Sequence, residues 1–176
     1  MAIDYKTQVL INNLTMSIIK VFEINIPITD IDEIVKKIGG RVKVSNSLSE
    51  YSDGLIKKIK DDEFEIIVSE YQPPNRRNFT IAHELGHLFL HMGYIIDEER
   101  WKTQQHTTYY RKGNSQEEYE ANEFAAAFLM PKNEYKRVLD KYTDGNIVDT
   151  AKIAEEFHVS TNAASNRGKW LGYLEW

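Results

Sequence analysis

The sequence predicts an α+β fold, in which a small, mostly antiparallel three-stranded sheet packs on a buried helix and further helices surround them. Three observations support this prediction. Apolar residues recur at helical spacing before residue 40, alternate with polar residues between residues 41 and 68, and return to helical spacing beyond residue 76. The chain has 176 residues, of which 41% are hydrophobic and 28% charged. We therefore expect one packed domain over residues 1–176 rather than a disordered chain.

Two helices are predicted before the sheet. Residues 4–22 carry apolar side chains at the spacing of an amphipathic helix. Asp30 and Glu33 have the spacing of a capping box, and Gly39 is a typical residue for the end of this second helix. The three strands are predicted at residues 41–44, 51–59 and 64–68, with a turn at residues 60–63.

Helices are predicted again after the sheet. The helix over residues 76–92 is apolar in nearly every direction, which indicates that it is buried. Residues 93–114 have no sustained period and are interpreted as a loop. Residues 147–176 are interpreted as a helix-turn-helix-like extension of the same domain. The other helices are expected at residues 115–130, from Pro131 to about residue 144, and at residues 148–157 and 160–172.

Composition and charge exclude several classes of protein. The chain has no cysteine, which rules out disulfide scaffolds, cysteine nucleophiles and thiolate zinc sites. Its 22 basic and 27 acidic side chains give a formal net charge of −5, which argues against a broad nucleic-acid-binding face, because such faces neutralise phosphates. The amino terminus has no secretory-signal pattern, and no apolar run reaches the roughly 20 residues that cross a bilayer. A cytoplasmic protein is expected.

The segment His83-Glu84-Leu85-Gly86-His87 is the part of the sequence that indicates chemistry. Residues four apart on a helix lie on one face, about 5–6 Å apart, so His83 and His87 can bind one metal ion. Glu84 is rotated about 100° from His83, where its carboxylate can take a proton from a water molecule. Polar side chains inside a buried helix each need a partner, and a metal supplies one. Without a metal, the two histidines would have to bond carbonyls in the core.

A tetrahedral zinc site needs a third protein ligand, and a catalytic site leaves the fourth position to water. The helix that begins near residue 115 offers four glutamates. Glu118 lies beside the apolar face and is the preferred ligand, with Glu117 as the alternative. Glu120 and Glu123 fall on the opposite face, which is predicted to be solvated. Ser115 and Glu118 also have capping-box spacing, so helix capping alone is a second interpretation of Glu118.

Residues near the proposed ligands are candidates for supporting roles. Asn122 lies one turn after Glu118, and its amide could hold a ligand imidazole in the required tautomer. A straight helix places His91 about 12 Å from His83, so His91 is interpreted as a packed or capping residue rather than a third ligand. Catalysis also needs a hydrogen-bond donor for the developing oxyanion. The candidates for that role lie in the 93–114 segment: His106, Tyr109, Tyr110 and Arg111.

Three segments together resemble the ImmA/IrrE family of metallopeptidase-like proteins, and the resemblance covers nearly the whole chain. It implies a compact gluzincin-type fold, one zinc ion held by His83, His87 and Glu118, and a cytoplasmic role in bacteria, their phages or mobile elements. Members of that family commonly cleave a helix-turn-helix repressor, which implies a protein substrate of this kind. The segments are Arg77 to His91 with the two metal-binding histidines, Glu118-x-x-Ala121-Asn122-x-Phe124-Ala125, and Phe128-Leu129-Met130-Pro131.

Two functions from different classes are therefore predicted. The first is a zinc-dependent endopeptidase that uses Glu84 as general base and inactivates a transcriptional repressor. The alternative is a regulatory protein that acts by binding a partner repressor or DNA without catalysis. DNA contact is disfavoured, because residues 149–176 contain three basic and four acidic side chains, a net charge of −1. No membrane partner is expected.

Overall fold

The computed structural model describes residues 3–46, 48, 53–104, 108–109 and 115–175. These residues confirm the predicted α+β class. The helices are α1 (Tyr5–Val21), α2 (Ile31–Ile38), α3 (Pro74–Gly86), α4 (Glu98–Thr103), α5 (Gln116–Leu129), α6 (Lys132–Lys141), α7 (Thr150–Glu156) and α8 (Thr161–Trp170). The strands are β1 (Gly40–Ser45), β2 (Gly54–Lys60), β3 (Glu63–Ser69), β4 (Thr108–Tyr109), β5 (Thr143–Asp144) and β6 (Ile147–Val148).

The main sheet has the strand order β1-β3-β2-β4. Strand β2 pairs antiparallel with both β3 and β4, whereas β1 pairs parallel with β3. The predicted mostly antiparallel sheet is confirmed, with one more short strand than expected. The extra strand forms because Thr108 and Tyr109 pair with Lys57 and Ile56 of β2. Strands β5 and β6 form a separate two-stranded hairpin.

A buried carboxylate joins the three longer strands. Glu65 on β3 is only 5% exposed, and its oxygens lie 2.7 Å from Arg41 Nε on β1 and 2.8 Å from Lys57 Nζ on β2. Burial alone would raise the pKa of Glu65, but Lys57 and Arg41 outweigh that effect and hold the pKa below its ordinary value. The carboxylate therefore acts as an ionised bridge across the sheet.

Helix α3 lies in the core, as its all-round apolar pattern predicts. Every residue from Thr80 to Gly86 is buried, and the helix contacts β2, β3 and α5. Beyond Gly86 the helix continues as a π-helical turn over His87–His91. Among the described residues, no helix combines the length and the apolar character that a bilayer crossing requires.

Part of the predicted loop over residues 93–114 is helical, so the loop prediction is wrong for residues 98–103. Helix α4 is capped by Asp97, whose carboxylate accepts the Arg100 N–H. Its Trp101 is 5% exposed and donates its indole N–H to the carbonyl of Asp61, at 2.6 Å. The Lys58 ammonium in turn donates to the Trp101 carbonyl at 3.0 Å. One buried tryptophan therefore attaches an otherwise polar segment to the end of the sheet.

The prediction that Glu123 is solvated is also wrong. Glu123 is 9% exposed, because α5 packs against α1 and Arg167 of α8 contacts its carboxylate. Its Oε1 accepts from Arg167 Nη1 of α8 at 2.9 Å and from Asn12 Nδ2 of α1 at 2.7 Å. Arg167 itself is 2% exposed and also donates to the Met130 carbonyl. This buried ion pair joins the carboxy-terminal helices to the rest of the fold.

Candidate metal centre

Three buried side chains from two helices converge beneath the sheet. His83 and His87 are each 1% exposed, and their Nε2 atoms lie 3.0 Å apart. The Glu118 carboxylate faces both rings, with one oxygen 3.4 Å from His83 Nε2 and the other 3.3 Å from His87 Nε2. Within the described ranges, these residues form the one group of three or more possible metal-ligating side chains. Glu117, the alternative ligand, is exposed and lies outside this group.

Local features of both helices bring Glu118 to the histidines. The Ser115 hydroxyl accepts the Glu118 N–H at 3.3 Å, so the backbone of Glu118 is capped while its side chain points to the imidazoles. Capping alone therefore does not describe this residue, because its carboxylate also contacts both histidines. Gly86 lets α5 approach α3, since a Cβ on Gly86 would lie only 3.0 Å from the Ala121 Cα.

The contact between His83 and Asn122 fixes which nitrogen of the ring carries its proton. Asn122 Oδ1 lies 2.9 Å from His83 Nδ1. An amide oxygen only accepts hydrogen bonds, so His83 Nδ1–H must be the donor. In the neutral ring, Nε2 then keeps its lone pair, which is the form of the ring that can bind a metal ion. Asn122 is itself exposed, so this support reaches the ring from the surface of α5.

His87 is held on its far side by another histidine. His91 Nδ1 lies 2.9 Å from His87 Nδ1, and His91 Nε2 lies 3.2 Å from Glu120 Oε2. His91 is not in the metal-ligating group, in agreement with the interpretation of the sequence as far as ligation is concerned. The contact with His87 was not expected, although the four-residue spacing from His87 to His91 is a visible signal for it.

Burial and mutual contacts shift the pKa values of several groups in and beside the cluster. Burial lowers the pKa of His87 and of His91 and so favours the neutral rings. Burial would raise the pKa of Glu118, but the adjoining imidazoles of His83 and His87 outweigh it and hold that pKa below its ordinary value. An ionised carboxylate and two imidazoles therefore meet at one point, where a divalent cation could replace the protons that they share.

The spacing of the ligand atoms also fits zinc. Tetrahedral zinc with bonds of about 2.1 Å separates its ligand atoms by roughly 3.4 Å. The separations among His83, His87 and Glu118 are 3.0, 3.3 and 3.4 Å. Two imidazoles and one carboxylate, with no thiolate, are a ligand set that zinc accepts in sites that keep an open position.

Glu84 lies next to the cluster without being part of it. It is 2% exposed, follows His83 on α3, and approaches the first residue of β2. A Cβ on Gly54 would lie 3.2 Å from Glu84 Oε1. Of the four candidate oxyanion donors, His106, Tyr110 and Arg111 fall outside the described residues. For the fourth, Tyr109, only the backbone in β4 is described.

Comparison with known proteins agrees with this geometry. The profile of the IrrE N-terminal-like domain, peptidase family M78, matches residues 35–169. The fold is similar to that of a Mycobacterium tuberculosis transcriptional regulator, with a TM-score of 0.57 and 19% sequence identity over 89% of this chain and 45% of that one. The chain thus spans less than half the length of that regulator. A search among curated proteins finds no match. Because the family profile covers most of the chain, the chain belongs to the IrrE N-terminal-like peptidase family.

Proposed function

We propose that this protein is a zinc-dependent endopeptidase that acts on a transcriptional repressor. The observation that carries the proposal is the convergence of His83 Nε2, His87 Nε2 and the Glu118 carboxylate at separations of 3.0–3.4 Å. Zinc bound there would supply a Lewis acid that polarises the scissile carbonyl and lowers the pKa of a water molecule. Two histidines and one glutamate leave a fourth position for that chemistry.

Glu84 is the proposed general base. Glu84 directly follows the ligand His83 on α3. Its side chain is buried, so the proton that its carboxylate accepts would be shielded from bulk water. In this mechanism Glu84 takes a proton from the attacking water and returns it to the leaving amine nitrogen. Asn122 supports the same step indirectly, because its Oδ1 holds the His83 ring with Nε2 turned towards the cluster.

The proposed substrate is a helix-turn-helix repressor of a phage or mobile element, recognised as a protein. An extended substrate segment would add to the sheet on the β4 side, where β2 brings Gly54 close to Glu84. The carboxy-terminal helices favour protein contact over DNA contact. Of the three basic residues in this region, Arg167 is buried against Glu123 and cannot reach a phosphate.

The test is cleavage of a helix-turn-helix repressor, taken from the neighbouring genes where one is encoded there, followed with purified components. We expect a zinc-dependent cut that a chelator stops. Glu84→Gln should retain one zinc per chain and lose nearly all cleavage, because an amide cannot accept the proton. Glu99→Gln is the matched control, since it makes the same chemical change at a side chain that is 92% exposed, and it should cleave normally.

A second measurement, relief of repression in a transcription assay with the same variants, separates the proposal from the alternative function. A regulatory protein that only binds its partner would relieve repression equally well with Glu84→Gln or after chelation. Undiminished cleavage by Glu84→Gln would remove Glu84 from the mechanism. Relief of repression without any cut would replace the endopeptidase with the binding protein.

A further inference from the structure

The proposed ligands and the general base leave one buried histidine of the same helix without a role. The His91 side chain is 8% exposed and contacts both the ligand His87 and Glu120 on α5. Glu120 is in turn bound on its other oxygen by Gln116 Nε2, at 3.2 Å. A chain of hydrogen bonds therefore runs from the metal-ligating cluster to the surface of α5.

The backbone is distorted at this point in a way that builds the contact. The Met92 N–H donates to the His87 carbonyl at 2.9 Å, an i→i+5 bond that makes His87–His91 a π-helical turn. Such turns are rare and are frequently found at functional sites. The wider turn places His91 more nearly in line with His87 than an α-helix would, so that the two Nδ1 atoms face each other.

The direction of each hydrogen bond in this network follows from Glu120, the residue at its surface end. The ionised carboxylate of Glu120 only accepts, so His91 Nε2 must carry a proton. The Nδ1 of a neutral His91 is then an acceptor, and His87 Nδ1–H must be the donor. His87 is left with its Nε2 lone pair directed at the metal position. Asn122 imposes the same arrangement on His83 through an amide oxygen.

We propose that His91 is a positioning residue, which together with Glu120 orients the His87 ring for metal binding. The proposal deepens the metal site of the proposed function and rests on it. Partners of this kind typically change metal affinity by about 10–100-fold when they are removed. The effect of His91 should therefore appear in zinc binding, before any substrate is added.

The experiment is a zinc titration of purified protein against a chromophoric chelator, in parallel with urea unfolding of the zinc-free protein. His91→Phe keeps a ring and removes the hydrogen bonds to His87 and Glu120, and it should weaken zinc binding by about 10–100-fold. His91→Asn retains an acceptor at the Nδ1 position, the same group that Asn122 offers to His83, and should recover most of that loss. Asn122→Ala is the comparison variant for the other ring.

A double variant tests whether Glu120 acts through His91. Glu120→Gln still offers an oxygen to His91 Nε2–H, so its loss of affinity should be smaller than that of His91→Phe. His91→Phe combined with Glu120→Gln should bind zinc no more weakly than His91→Phe alone, because the two residues act in series.

The outcomes distinguish this inference from the proposed function. If His91→Phe binds zinc as tightly as the wild type and changes only the stability of the zinc-free protein, His91 is a packing residue and the inference is wrong. Equal losses for His91→Asn and His91→Phe would also overturn it. If the wild type cleaves the repressor in either case, the proposed function stands. If the wild type binds no zinc, both fail.

Discussion

Gly54, the first residue of strand β2, lies directly against the carboxylate of Glu84 on helix α3. A Cβ on Gly54 would lie 3.2 Å from Glu84 Oε1 and 2.6 Å from Thr80 Cγ2. The strand can approach the helix this closely only because residue 54 has no side chain. The position of the proposed general base therefore depends on a residue of the sheet.

The first prediction follows from this contact. Gly54→Ala should displace the Glu84 carboxylate by a few tenths of an ångström and lower kcat for repressor cleavage, by less than the roughly 100-fold effect of a misplacement of about 1 Å. Zinc content should not change, since none of the three ligands is moved directly. The measurement is single-turnover cleavage together with zinc analysis.

A second substitution distinguishes the contact that the new alanine would make with Thr80 from the contact that it would make with Glu84. Gly54→Ala with Thr80→Ser removes the methyl group that the new Cβ would strike, but leaves the contact with Glu84. We expect cleavage by this double variant to stay low. Recovery to the wild-type rate would mean that Gly54 matters for packing against Thr80 and not for Glu84.

The second prediction concerns Gly86, between the two helices that supply the ligands. Alanine normally stabilises a helix interior by about 1 kcal/mol relative to glycine. Here a Cβ would lie 3.0–3.1 Å from Ala121 and Phe124 of α5. Gly86→Ala should therefore lower the free energy of unfolding by about 1–3 kcal/mol. It should also weaken zinc binding, because the added methyl group would push α5 away from α3 and Glu118 lies on α5. A more stable variant in urea unfolding would contradict this account.

The third prediction concerns the buried ion pair between Arg167 and Glu123. Arg167→Met should lower the free energy of unfolding by about 3–5 kcal/mol, because it leaves the Glu123 carboxylate buried without its cation. Adding Glu123→Met should recover part of that loss. Lys152→Met, a change at a side chain that is 60% exposed, is the control and should have little effect. An equally small effect of Arg167→Met would show that the pair is not a structural link.

The fourth prediction is the pH dependence that Glu65 introduces. Its folded-state pKa lies below the unfolded value of about 4.3, so its contribution to stability is complete above that pH and is lost as the pH falls through the folded pKa. Glu65→Gln should lower the free energy of unfolding at pH 7 by about 1–3 kcal/mol. The difference from the wild type should shrink towards pH 3. A difference that is constant with pH would contradict the role of its charge.

The elements that sequence predicts correctly are those with local causes. Asp30 accepts the Glu33 N–H and Gly39 ends α2 in a left-handed conformation with φ 111°, because capping depends on residues three or four apart. The burial of α3 follows equally from its own composition. His83, His87 and Glu118 are brought together as their spacing and helix face suggest.

The features that sequence misses depend on distant partners or on distorted backbone. Nothing in the sequence around Glu123 indicates that Arg167, 44 positions later, will bury it. Similarly, helical spacing assumes a regular α-helix, whereas the π-helical turn changes where His91 lies. Gly54 lies 30 positions before Glu84, and only the folded sheet reveals their contact.

The central claim is that two imidazoles and one carboxylate bind a single zinc ion and leave one position open. Anomalous diffraction at the zinc absorption edge, from crystals of the zinc-loaded protein, tests it most directly. We predict one strong peak about 2.0–2.2 Å from His83 Nε2, His87 Nε2 and a Glu118 oxygen, with the fourth position facing solvent. A peak elsewhere, or a fourth protein ligand closing the site, would contradict the account.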